Sequence, residues 1–244
     1  MGCAHKQNQH GFTLVEISIV MIIIGLLIGG TFGGMKLIEN MQISKTVQDL
    51  KAIESAALTF KDTYGRLPGD MPNTAARLPS CTDAPCATGG DGNRVIGASN
   101  LWTGAIANTS ENFAFWHHVQ AANLLSMGYK NTLVMDFGEG QPDAPSGGGY
   151  RISSHTATSS DGCRKLDRAM TLIQNLPDVV IPAGTVQCSF LESVDRKFDD
   201  GLPLTGQFFA SWMTTGGLCA AAAACTSNYN QTALGFGVYD LRGF

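Results

Sequence analysis

Charge is scarce in this 244-residue chain: Asp, Glu, Lys and Arg make up 15% of it, and the net balance is -4 with a pI near 5.7. Nothing here resembles the basic footprint of a nucleic-acid-binding surface, so DNA is not an expected partner. Catalytic patterns are missing as well. There is no Gly-x-Ser-x-Gly elbow, no phosphate-cradling GxxxxGK, no HExxH pair and no Rossmann fingerprint. The adjacent His117 and His118 do not substitute for them, because neighbours on a helix point about 100° apart and cannot chelate together. One packed and one exposed histidine are expected there. Trp102, Trp116 and Trp212 read as core anchors rather than ligand platforms. No enzyme and no obligatory cofactor are expected.

Proline is absent before Pro68, glycine is absent between Met35 and Gly65, and no charged residue occurs from Ile17 to Met35. Nothing breaks a helix over this stretch, and about twenty apolar residues suffice to cross a bilayer as one. No second spanning segment is expected after Met35, since later apolar runs such as 132–137 are short. From Ile43 the character changes: Ile43, Val47, Leu50, Ile53, Ala57, Phe60 and Tyr64 recur at steps of three and four, the stripe of an amphipathic helix. One continuous helix from Phe12 to about Tyr64, roughly 80 Å long, is predicted. Its first half would span the membrane and its second half would pack on a globular domain. Gly25, Gly29, Gly30, Gly33 and Gly34 form Gly-x-x-x-Gly spacings that allow close helix approach, and they are also sites where the helix is weakened.

One carboxylate, Glu16, opens the apolar stretch. A buried charge there is costly and needs a partner. The polar leader MGCAHKQNQHG precedes it. This order differs from a secretory signal, which has an apolar core before its cleavage site. Lys6 excludes a myristoylation motif, and no apolar stretch precedes Cys3 as a lipoprotein signal would require.

At GFTLVE followed by an uninterrupted apolar helix, the chain resembles type IV pilins and the pseudopilins of type II secretion systems. The resemblance covers about the first quarter of the chain. It implies cleavage between Gly11 and Phe12 by a prepilin peptidase, N-methylation of Phe12, and pairing of Glu16 with the amine of Phe12 on a neighbouring subunit. It also implies an inner-membrane assembly platform and other pilin or pseudopilin subunits as partners. The protein would be a single-pass inner-membrane protein with a periplasmic C-terminal domain, extracted later into a pilus or pseudopilus. The expected division is residues 1–11 as leader, 12–35 as transmembrane and assembly helix, 36–64 as its amphipathic continuation, and 65–244 as the globular domain. Two roles stay open: a structural filament subunit, or a low-copy minor pilin at the tip that binds a surface, a secreted substrate or DNA.

Gly65 and LPGDMPN stop the long helix, and a loop rich in Gly, Pro, Ser, Thr and Asp runs to about Asn100. SENFAFWHHVQAANLL, with a capping signal at Ser110, predicts a second helix, and LDRAMTLIQNLP a third. NTLVMDF, GGYRIS, GTVQCSFL and LGFGVYDL read as strands. The expected class is α/β (α+β), pilin-like: a long helix laid on a small antiparallel sheet, with extra helices and disulfide-stapled loops.

Of seven cysteines, Cys3 precedes the apolar segment and six follow it, an even number that fits disulfides in an oxidising compartment. Their spacing suggests Cys81 with Cys86 and Cys219 with Cys225, leaving Cys163 with Cys188, one of about fifteen pairings open to six cysteines. The tight spacings of a zinc site are missing. Two acidic turns remain. VDRKFDDGLPLTG makes Asp195, Asp199 and Asp200 candidate calcium ligands, and GGDGN places Asp91 in a glycine loop. Calcium in a C-terminal loop is a feature of some pseudopilins. Neither stretch has the EF-hand order, and Asp-Gly is also an ordinary turn.

Overall fold

The computed structural model describes residues 12–97, 109–130, 132–134, 136–154, 169–173, 186–203, 205–211, 229 and 234–241. The chain divides into two units, Met1–Met41 and Gln42–Phe244.

The helix α1 runs from Leu14 to Tyr64 without interruption. In the first unit every described residue is exposed, from Phe12 through Met41. The five glycines at 25, 29, 30, 33 and 34 have open space where a Cβ would stand.

In the second unit the same helix turns amphipathic. Ile43, Val47, Leu50, Ile53, Ala57 and Phe60 are all buried, as their spacing predicts, and Tyr64 packs at the edge of the core. The helix ends where glycine allows it: Gly65 takes φ +68°, and its N–H closes on the Lys61 carbonyl at 2.8 Å. After it come a short helix α2 (Thr74–Arg77), then α3 (Glu111–Ala121) and α4 (Cys188–Phe198). Phe115, Trp116 and Val119 of α3, with Leu191 and Val194 of α4, enter one core with the α1 stripe.

Among the described residues five strands, β1 (Gly149–Ser153), β2 (Ala169–Ile173), β3 (Val186–Gln187), β4 (Phe208–Ser211) and β5 (Leu234–Asp240), pair antiparallel in the order β1-β2-β5-β3, with β4 also on β5. Register is set by pairs such as Arg151 with Thr171, Thr171 with Val238 and Phe209 with Val238. Polar ties fix α1 to the strands within this unit. Tyr239 donates to Glu54 Oε2 at 2.6 Å, and Tyr150 donates to Asp49 Oδ2 at 3.3 Å. Asp49 also takes the Lys45 ammonium, one turn earlier, at 2.6 Å.

Three expected elements change identity. LDRAMTLIQNLP, read as a helix, holds β2, because pairing with β1 on one side and β5 on the other outweighs local propensity. GTVQCSFL, read as a strand, keeps among its described residues only Val186–Gln187 in that form. From Cys188 it enters α4, whose Phe190, Leu191 and Val194 share a helical face. NTLVMDF forms no strand among its described residues, and Phe137 makes only a single bridge to Gln141. The second helix stops at Ala121 rather than continuing to Leu125.

Candidate functional site

Thr13 and Glu16 organise the start of α1. The backbone N–H and the hydroxyl of Thr13 both donate to Glu16 Oε2 at 2.8 Å, and the Glu16 N–H returns to the Thr13 hydroxyl at 3.3 Å. This is a reciprocal capping box, and its signature, Thr-x-x-Glu before an apolar run, is present in FTLVE. The sequence reading assigned Glu16 only an intermolecular partner and passed over this local one. In the isolated chain, then, the carboxylate satisfies donors that the first helical turn would otherwise leave open. Phe12, next to it, is 84% exposed. Gly11 lies outside the described residues.

Beyond Glu16 the helix presents apolar side chains on all sides, including Ile19, Ile22, Leu26 and Phe32. A helix apolar all round is made for lipid or for other helices, not for water. Among the described residues it is the one helix long and apolar enough to cross a membrane, as in a single-pass membrane protein.

In the globular unit, Cys81 and Cys86 form a disulfide, the expected short staple. Cys188 is also disulfide-bonded, and its partner lies outside the described residues, as do Cys163, Cys219 and Cys225. Trp116 is fully buried, while Trp102 and Trp212 fall outside the described residues.

Both histidines are buried, which corrects the expectation of one exposed ring. His118 Nδ1 accepts the Gly69 N–H at 2.8 Å, so Nε2 carries the proton and donates to the Cys86 carbonyl at 3.0 Å. Burial pushes its pKa down to about 4. His118 therefore ties the loop after α1, the stapled loop and α3 together as a neutral ring. It also approaches Cys81 and Cys86 closely, but with both sulfurs in a disulfide no thiolate is available to a metal.

The acids of VDRKFDDG are engaged in the fold. Asp195 is fully buried and its Oδ2 accepts the Tyr229 hydroxyl at 2.9 Å. Desolvation raises its pKa to about 7, with Asp200 and Asp199 adding to the rise. Asp199 Oδ2 accepts the N–H groups of Gln207 and Phe208 at the entry to β4. Asp200 accepts from Leu202 N–H at 2.9 Å and from the Thr205 hydroxyl at 2.5 Å, forming a side-chain-closed turn. The oxygen-only group that converges among the described residues lies elsewhere: Asp70, Asp91 and Glu111 bring ligand atoms within 4.8 Å of one another.

Residues 6–32 match the prokaryotic N-terminal methylation motif, a stretch that includes Gly11, Phe12, Glu16 and most of the apolar part of α1. No curated protein and no solved structure matches the chain. The chain thus carries a prepilin-type methylation motif, consistent with the type IV pilin and pseudopilin superfamily in general. Proteins of the prepilin and pilin family are structural rather than catalytic, in keeping with a chain that is not expected to be an enzyme. The motif is also what prepilin peptidase and methyltransferase machinery acts on.

Proposed function

We propose that the chain is a prepilin-like structural subunit of a type IV pilus or type II secretion pseudopilus. The observation that carries this reading is the methylation motif at 6–32 running directly into an exposed, all-round apolar helix. Prepilin peptidase cuts between Gly11 and Phe12, and Phe12 is N-methylated. Residues 12–35 first hold the subunit in the inner membrane and then pack with neighbouring helices in the filament. The amphipathic continuation over 36–64 anchors the domain, residues 65–244, which faces the periplasm and later the filament surface. The antiparallel strands packed with the second half of α1 support a pilin-like α+β class for that domain.

Glu16 has two roles in sequence. Before assembly it caps its own helix through Thr13. In the filament it accepts the charged amine of Phe12 from a neighbour, and in the low dielectric of the helix bundle that pairing outweighs the local cap. Losing one partner of such a buried pair costs about 3–5 kcal/mol, enough to set subunit register.

Intact-mass measurement and N-terminal sequencing of protein from membranes and from sheared surface material test the processing step. Methylated Phe12 at the N-terminus of sheared material is expected, and a chain still beginning at Met1 would overturn it. Glu16→Val should abolish filaments while leaving processing intact. Normal filament abundance in that variant would remove the pairing from the reading.

A further inference from the structure

Three segments far apart in sequence bring carboxylates to one place: the loop after α1 (Asp70), the glycine-rich loop (Asp91) and the first turn of α3 (Glu111). Close backbone packing holds them there. A Cβ on Gly90 would stand 2.4 Å from the Asp70 Cα, and one on Gly69 would stand 2.3 Å from the Glu111 carbonyl oxygen, so neither position accepts a larger residue. The donors to these carboxylates are uncharged. Asp70 Oδ2 takes the Arg94 backbone N–H at 2.9 Å, Asp91 takes the N–H and amide of Asn93, and Glu111 takes the N–H groups of Asp91 and Gly97 at 3.0 and 2.9 Å.

A second observation points to a missing ligand. Asp70 is fully buried, and its Oδ1 is sealed from solvent with no hydrogen-bond partner. A buried carboxylate oxygen left without a donor has lost its hydration and gained nothing in return. The charges bearing on Asp70 are those of Glu111 and Asp91, both negative. Like charges gathered around an unsatisfied buried oxygen are what a bound cation relieves.

The geometry points to a divalent-cation site formed by Asp70, Asp91 and Glu111, with calcium as its ion. An oxygen-only donor set selects hard cations over zinc or copper. Calcium sits roughly 2.3–2.6 Å from each oxygen and tolerates irregular geometry, so one ion can bridge oxygens as far apart as these, with water completing its shell. Magnesium holds its ligands at about 2.0–2.1 Å in a near-ideal octahedron and fits a loop-built site less well. Binding would clamp the segment after α1 to α3. The site is distinct from Asp195, Asp199 and Asp200, and it does not depend on the filament reading.

The test uses the full chain in detergent, stripped with chelator and then titrated with calcium chloride or magnesium chloride. Equilibrium dialysis should find one calcium bound at this site per chain, and the thermal midpoint should rise with calcium. At calcium tenfold above the dissociation constant, the folded-to-unfolded ratio should increase about elevenfold. Asp91→Asn and Glu111→Gln should remove both responses while keeping the circular dichroism of the chelated parent. Asp70→Asn should do the same, and without calcium it should be at least as stable as the parent because a like charge is gone. If Asp70→Asn does not fold, the exposed Asp91→Asn decides. Absence of calcium binding at about 1 mM, the weak end of extracellular sites, or a response that survives Asp91→Asn, overturns the site. An equal response to magnesium overturns the assignment to calcium.

Discussion

The Tyr229 hydroxyl donates to Oδ2 of Asp195 at 2.9 Å inside the folded domain, and Asp195 Oδ1 has no partner. The two residues are 34 positions apart, so the fold makes this contact. Burial raises the Asp195 pKa from 3.8 to about 7. The folded protein therefore keeps a proton that the unfolded chain has released. The stabilisation is full below pH 3.8 and is lost as pH rises through about 7. Asp195→Asn should lack this loss between pH 3.8 and 7 and be more stable than the parent at pH 8, by up to about 4 kcal/mol. Urea midpoints at pH 5 and pH 8 measure it.

His118 sets a slope of the opposite sign. Its folded pKa, about 4, lies below the ordinary 6.5, so the unfolded chain takes up a proton first. Stability is intact above pH 6.5 and falls as pH drops toward 4, by about 3 kcal/mol in all. Measured in an Asp195→Asn background, where the opposing slope is absent, the loss should appear between pH 6.5 and 4. His118→Gln should flatten it.

Opening the Cys81–Cys86 disulfide frees a loop with a sequence separation of only 5. Chain entropy for so short a loop gives a loss of about 2 kcal/mol. The Cys81→Ser, Cys86→Ser double variant should lower the urea midpoint accordingly while leaving the α1 helix signal in place.

The two halves of α1 should answer truncation differently. Phe60 is fully buried, its ring 4.6 Å from that of Tyr64, and Phe60→Ala should cost the globular unit about 3–5 kcal/mol. Leu26 is 77% exposed, so Leu26→Ala should leave domain unfolding unchanged within about 0.5 kcal/mol and instead reduce the sheared filament yield. Equal losses of domain stability in both variants would contradict this division.

Much of α1 was legible because its information is local. The uncharged run from Ile17, the three-and-four spacing of Ile43, Val47, Leu50, Ile53, Ala57 and Phe60, and the stop at Gly65 are properties of neighbouring residues on one helix. Even the Thr13–Glu16 cap is written in FTLVE, as Thr-x-x-Glu ahead of an apolar run. The Cys81–Cys86 bridge was equally readable, because so short a spacing leaves little choice of partner.

Tertiary structure decided what depends on partners distant in the chain. Ala169–Ile173 became a strand because β1 and β5 offered unpaired backbone on either side, and no local pattern encodes that offer. Cys188–Phe198 became a helix because its apolar residues meet the α1 core on one face. His117 and His118 were both buried by the loops folded over α3, where adjacency alone suggested one in and one out. Asp70, Asp91 and Glu111 were unremarkable as separate turn and helix-start residues. They became a cluster only when the chain closed on itself, because electrostatic proximity follows distance in space and not position in sequence.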